Sequence, residues 1–410
     1  MRRRPPMSLE DAALAVVRRL REHGHEALWA GGCVRDMLLG VEPADIDVAT
    51  DAPPDTIVEL FRRTRKVGVQ FGVVLVGQGR HWIETATFRT DLDYRDGRRP
   101  EQVVFTTAEE DTKRRDFTIN GLFYDPLERK VIDYVNGQAD LDAKIIRAIG
   151  NPEERFAEDH LRMLRAVRFA CRLGFTIDAA TAEAITRHAD RIQRISAERV
   201  REELEKMLAH PSRAEAVNWL ARLGLLVYLP LGCTWPDGRL ARACQILTAL
   251  PKDADLILAL AALLADTPAT QAARMARNLR CSNQQTGDLS WLLTRCSQLD
   301  QVADMRPATF KKLAVHPRFS DLLALHQAVG TADGRPLEAN RAARRRLAGI
   351  PQDQLAPPPL VTGEDLIALG LQPGPDFSRI LDAMYDAQLD GEFADRPTAL
   401  IHLREEVGGQ

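Results

Sequence analysis

The sequence predicts a mixed α/β unit over residues 1–150 followed by an all-helical remainder. Three observations carry this. Short apolar runs closed by glycine or turn residues recur in the first third. From about Pro152 onward the strand signals stop and apolar residues repeat at helical spacing. A chain of 410 residues also exceeds what one hydrophobic core organises. Four parts are expected, at 1–150, 151–212, 213–354 and 355–410.

Ser8 opens an amphipathic helix to about Glu22, with Ser8 as N-cap and Asp11 placed as in a capping box. Residues 27–30 form a strand ending at Gly31-Gly32, and residues 34–39 a helix closed by Gly40. Further strands are expected at 46–49, 73–76, 82–88, 103–105 and 131–134, with helices at 55–63 and 140–144. The charged stretch 89–100 is a solvated hairpin connection. Helices follow at 159–173, 179–194, 197–209 and 213–223. The proline-rich stretch 355–360 is a stiff linker into a small helical tail at 363–403.

A hydrophobic fraction of 45% and a charged fraction of 28% describe a soluble globular protein. No apolar run is long enough to cross a bilayer, and the basic start Met1-Arg-Arg-Arg-Pro-Pro lacks the apolar stretch of a secretory signal. A cytoplasmic location is expected, with no membrane partner. The six cysteines (33, 171, 233, 244, 281 and 296) form no CxxC pair, so neither zinc nor a disulfide framework is suggested. A net charge of −3 argues against indiscriminate nucleic-acid coating and leaves room for a local basic face.

The chemistry starts at Gly31-Gly32-Cys33-Val34-Arg35-Asp36, followed by Asp45-Ile46-Asp47. Residues two apart on a strand share a face, so Asp45 and Asp47 project together. Like charges side by side are costly unless a hard cation neutralises them. Gly31-Gly32 opens a helix whose free N–H groups favour a phosphate, and Arg35 can grip the same group. Glu84 is a third candidate carboxylate. A bare DxD is usually a solvated strand end and a GG pair usually a turn; their order and spacing here make them specific. Cys33 is a packing residue.

GGCVRDMLLG followed by DIDVAT resembles the core of the class II tRNA nucleotidyltransferase and bacterial poly(A) polymerase family. KRRDFTING at 113–121 and EDHLRMLRAVRF at 158–169 extend the resemblance. It implies a polymerase-β-like nucleotidyltransferase head at 1–150, a neck carrying the nucleotide-selecting helix at 151–212, a body at 213–354 and an RNA-binding tail at 355–410. It implies Asp45 and Asp47 as magnesium ligands; Glu84, on the strand expected at 82–88, is the third catalytic carboxylate expected beside them. Gly31, Gly32, Arg35, Arg115, Asp159, Arg162, Arg165 and Arg168 are then expected to bind the nucleotide.

Asp159, Arg162, Arg165 and Arg168 recur every third residue, which predicts a stripe on one helix face opposite Leu161, Leu164, Val167 and Phe169. So many arginines repel one another without an anionic partner, which triphosphate and RNA supply. Cytosine and adenine each present an amino donor beside a ring-nitrogen acceptor. Asp159 accepts from the first and Arg162 donates to the second; guanine and uracil present the reverse pattern.

The expected activity is template-independent addition of C and A to the 3′ end of tRNA, by two-metal phosphoryl transfer from CTP and ATP. A poly(A) polymerase and an A-adding enzyme share these motifs, and an inactive RNA-binding module is the reading from another class. No stable protein partner is suggested. Arg341, Arg344, Arg345 and Arg346 form a basic cluster that serves either tRNA or a solvated helix face.

Overall fold

The computed structural model describes residues 7–67, 72–95, 99–232 and 234–408. The basic start, Cys233 and residues 96–98 of the expected hairpin connection lie outside the described residues. The chain divides into two compact units, 1–234 with 278–280, and 235–277 with 281–410. Among the described residues, no helix is long and apolar enough to cross a membrane.

In the first unit the Ser8 hydroxyl accepts the Asp11 amide at 3.0 Å, so α1 (Leu9–Glu22) starts where its cap places it. Its buried stripe of Ala12, Ala13, Val16, Val17 and Leu20 lies on the sheet core. The strands are β1 (Ala27–Ala30), β2 (Asp47–Thr50), β3 (Thr64–Lys66), β4 (Val73–Gln78) and β5 (His81–Thr87). A hairpin of β6 (Arg89–Arg95) and β7 (Arg99–Phe105) follows, then β8 (Phe123–Asp125) and β9 (Lys130–Ile132). Seven of these form one mixed sheet, ordered β3-β4-β5-β2-β1-β8-β9, with β2 and β5 parallel.

Central β1 is buried on both faces. Ala27 and Trp29 join the cluster under α1, while Leu28 and Ala30 join Ala49, Phe88, Ala108 and Phe123 on the other face. The expected stretch 89–100 is not a bare connection. Arg89 pairs with Phe105 and Arg95 with Arg99, so the strand expected at 103–105 is the end of a longer one.

The remaining helices of this unit are α2 (Gly32–Leu38), α3 (Pro54–Leu60), α4 (Ala108–Lys113), α5 (Gly137–Asp142), α6 (Pro152–Glu158), α7 (Leu161–Leu173), α8 (Ala179–Arg187), α9 (Ala197–Leu208) and α10 (Arg213–Arg222). Strand signals do not end at 152. Thr176–Ile177 pairs in parallel with Ile145–Ile146 and ties α7 to the head. α10 packs on α7 and α9 and stays with the first unit.

The second unit is helical throughout its described residues. Leu256–Leu263 is buried on every side and forms its centre. The proline stretch, expected as a stiff linker, is anchored to the later helix Pro375–Asp390. The Pro357 and Pro358 carbonyls accept from Tyr385 Oη at 3.0 Å and Gln388 Nε2 at 2.9 Å. In the basic cluster, Arg346 donates to the Val302 and Met305 carbonyls and lies over Phe310, a structural role.

Candidate active site

β1 ends at Gly31 with φ +74° and ψ −123°, a conformation costly for any residue with a Cβ. A Cβ there would also stand 2.9 Å from Arg115 Nη1. Gly31 is thus needed both by the turn and by the guanidinium packed against it. Gly31→Ala is expected to cost about 1–3 kcal/mol of stability and to displace Arg115; denaturant unfolding beside an incorporation assay checks both.

Arg35 projects from α2 and is almost wholly buried. Its Nη1 donates to Asn120 Oδ1 at 2.6 Å, and its Nε and Nη2 to Asp36 Oδ1 at 2.8 and 2.6 Å. Cys33 beside it is a buried thiol pushed up to about 11, chiefly by burial, so it is no nucleophile.

The carboxylates meet because β2 runs parallel to β5. Val48 pairs with Thr85, so one step back sets Asp47 beside Glu84. Asp45 lies just before β2, and Ile46 between the two aspartates is buried in the core. Burial, then Glu84 and Asp45, push the Asp47 carboxyl up to about 7, with Arg115 pulling the other way. Carboxylates crowded in this way fit a hard divalent cation held by oxygen. Among the described residues no three acidic, histidine or cysteine side chains are grouped so as to hold a metal ion by themselves.

Arg114 and Arg115 share the buried Asp111. Arg114 Nε donates to its Oδ1 at 2.8 Å, and Arg115 Nη2 to its Oδ2 at 2.9 Å. Burial alone would raise the Asp111 pKa; the two guanidiniums overcome it and hold the carboxyl low. A second chain of contacts joins the head to α7. Arg35 donates to Asn120, Asn120 Nδ2 donates to Asp116 Oδ1 at 3.0 Å, and Arg165 Nε donates to Asp116 Oδ2 at 2.8 Å. Burial opposes ionisation of Asp116, yet Arg165 and the Asn120 bond hold it down to about 2.

Its lowered pKa means Asp116 contributes stability that is complete above the ordinary carboxylate range and lost as pH falls through about 2. The contribution is on the order of 2 kcal/mol. Asp116→Asn is expected to lower unfolding free energy at neutral pH, with the gap to wild type closing as the solution is acidified. A gap that stays constant with pH would show that the ion pair is not its source.

The expected four-residue stripe needs correction. α7 begins at Leu161, and Asp159 sits before it in an extended conformation, φ −142° and ψ 103°. Only Arg162, Arg165 and Arg168 ride on the helix. They do not depend on a bound anion for charge balance: Arg162 meets Glu158 at 2.8 Å, Arg165 meets Asp116, and Arg168 meets buried Glu203 at 2.6 Å. Arg162 and Arg168 are each only 8% exposed. Phe169 does not simply face the core. It lines the cavity beneath Arg35, Arg165 and Arg168, the nearest guanidinium 4.2 Å from its ring centre.

The side chains of Asp159 and Arg162 are held from behind rather than by each other; only their backbones meet, the Arg162 amide donating to the Asp159 carbonyl at 3.0 Å. Asp159 Oδ1 accepts the Leu161 amide at 3.1 Å, and its Oδ2 accepts Arg199 Nη2 at 2.9 Å. Arg162 Nη2 donates to the Arg114 carbonyl at 2.7 Å. Arg199, Asn120 and Asp116 are site residues that sequence reasoning missed. Arg199 lies forty positions from its partner and carries no local signal.

All eleven expected residues (Gly31, Gly32, Arg35, Asp45, Asp47, Glu84, Arg115, Asp159, Arg162, Arg165 and Arg168) line one cavity of about 750 Å³. It lies on the sheet face of Ala30 and Ala49, opposite α1.

Residues 27–147 match the Poly A polymerase head domain, and residues 174–232 the probable RNA and SrmB-binding site of polymerase A. The CCA-adding enzyme of Geobacillus thermodenitrificans is 46% identical over 228 residues, 55% of each chain, so the match spans about half the length of that relative. The CCA-adding enzyme of Streptococcus mutans is 35% identical over 403 residues, 96% of this chain and 97% of the relative. The crystal structure of the Bacillus stearothermophilus CCA-adding enzyme in complex with CTP superposes over 99% of both chains, with 32% identity and a TM-score of 0.78. The Thermotoga maritima CCA-adding enzyme complexed with tRNA shares the fold at 21% identity, TM-score 0.69, over 99% of this chain and 97% of that one. With a full-length relative and a full-length structural match both above 30% identity, the chain belongs to the CCA-adding enzyme family.

Proposed function

We propose that the chain adds C and A nucleotides to the 3′ end of tRNA, building or repairing its CCA terminus from CTP and ATP in the cytoplasm. The observation that carries this is one cavity lined both by Asp45, Asp47 and Glu84 and by Asp159 and Arg162. In this reading the head (1–150) performs the transfer, the neck (151–212) selects the nucleotide, and the body (213–354) and tail (355–410) hold RNA.

Arg35 and Arg115 grip the triphosphate, and the absence of a side chain at Gly31 and Gly32 lets it approach the backbone. Asp159 accepts the exocyclic amino group of cytosine or adenine while Arg162 donates to the neighbouring ring nitrogen. Uracil and guanine leave both protein groups mispaired. Arg165 and Arg168, steadied by Asp116 and Glu203, serve the ribose and phosphates. The RNA 3′-oxygen attacks the α-phosphorus in line, a new phosphodiester bond forms, and the bond to pyrophosphate breaks. Asp45 and Asp47, with Glu84 beside them, would hold magnesium, whose charge would favour loss of the 3′-hydroxyl proton to solvent and neutralise the leaving pyrophosphate.

The test is product identity on tRNA transcripts ending before CCA, after C and after CC, each given CTP, ATP or both. Growth of the shortest transcript by CCA and then arrest supports the proposal. A single A added only to the CC-ended transcript makes the protein an A-adding enzyme. A long adenylate ladder on unrelated RNA makes it a poly(A) polymerase, and no extension with RNA bound makes it an RNA-binding module.

A further inference from the structure

The α1 side of the head sheet carries a second cavity, of about 670 Å³, that shares no lining residue with the active site. Arg18 and Arg19 enter it from α1, and Arg62 and Arg63 from the segment between α3 and β3. Asp11 and Glu22 are its only lining carboxylates, and Asp11 already accepts the Ser8 hydroxyl at 2.8 Å. Arg65 and Lys66 continue the basic surface along β3, and Lys66 lies 3.7 Å from Asp55. All six cationic side chains are exposed.

They differ in pairing from the arginines of the active site. Around the active site Arg115, Arg165, Arg168 and Arg199 each meet a carboxylate. Among the described residues Arg18, Arg19, Arg62 and Arg65 make no side-chain ion pair or hydrogen bond, in a chain whose net charge is negative. Trp82 does not line the cavity, but two of the arginines lie over it. The guanidiniums of Arg63 and Arg65 lie 5.2 and 4.2 Å from the centre of the Trp82 ring. Gly77 stands opposite Trp82 in register, and a Cβ there would crowd Arg63 and the ring at 3.1–3.3 Å. Arg63 Nη1 is fixed by the Gly79 carbonyl at 2.6 Å.

Protection of the edge strand β3 explains Arg65 and Lys66. It does not explain Arg18 and Arg19, which are on a helix. Of the lining residues only Met7 is a large exposed apolar side chain, too little for the core of a protein interface. Exposed arginines without internal anions, two of them lying over an indole, suit phosphodiester groups.

We propose that this cleft is a second RNA-binding surface, holding the phosphodiester backbone by charge without reading sequence. The test compares the full-length protein with the variant R18Q/R19Q/R62Q/R65Q, titrated against a labelled blunt-ended RNA duplex and a tRNA transcript over a salt series. Loss of these contacts is expected to make the slope of log affinity against log salt shallower by about 3 for the duplex. Affinity at low salt should fall at least ~10-fold, while nucleotide incorporation at saturating RNA stays at wild-type rate. If the fourfold variant does not fold, R18Q/R19Q should show about half the slope change. Unchanged slope and affinity for both RNAs would overturn the proposal and leave an acidic protein as the better fit to this surface.

Discussion

Replacing Asp45 and Asp47 together by alanine is expected to reduce nucleotide incorporation by about 10³-fold or more while tRNA binding survives. The two aspartates flank buried Ile46 at the entry to β2, and the parallel register brings Glu84 alongside. Burial and the two neighbouring carboxylates already push Asp47 up to about 7. Their removal therefore relieves like-charge crowding, so the double variant should be at least as stable as wild type. Stability gained with activity lost is the signature of a metal-binding carboxylate pair. Incorporation kinetics, thermal unfolding and filter binding of tRNA check the three parts. Lost tRNA binding, or near-normal incorporation, would contradict the assignment.

The second large effect concerns selectivity. Arg162→Met is expected to lower the preference for CTP and ATP over UTP and GTP by roughly 10²-fold, because one of two base-reading groups is gone. The fold should tolerate it: Glu158 keeps its pairing with Arg155, although the Arg114 and Arg155 carbonyls each lose a donor. Asp159→Asn tests the other half. An amide can turn a donor toward a carbonyl, so UTP should gain relative to CTP. Single-turnover rates with each nucleotide, on a tRNA lacking CCA, measure both. Equal losses for all four nucleotides in both variants would mean that these residues support the site without reading the base.

The parts of this site that were legible in the sequence are those set by short spacing. Gly31-Gly32, Arg35 and the Asp45–Asp47 pair each lie within a few residues of a strand end, where period and turn chemistry place them. The cap at Ser8 and the bounds of β1 were readable for the same reason. Strands β3 and β8, three residues each, are too short to display a period.

The threefold spacing puts Asp159 on the helix because it looks the same whether or not its first member is helical. Its extended backbone comes from the break between α6 and α7. The arginines of α7 looked like a face awaiting an anion. Their partners Asp116 and Glu203 lie 49 and 35 positions away and are brought in only by tertiary packing. Asn120, Asp116 and Arg199 share that origin.

The most direct test of the account is a crystal structure of this protein with CTP and magnesium. The cytosine amino group and ring nitrogen are expected at about 3 Å from Asp159 and Arg162, the triphosphate beside Arg35 and Arg115, and the metal at Asp45 and Asp47. A base turned away from Asp159 and Arg162, with incorporation still confined to C and A, would contradict it.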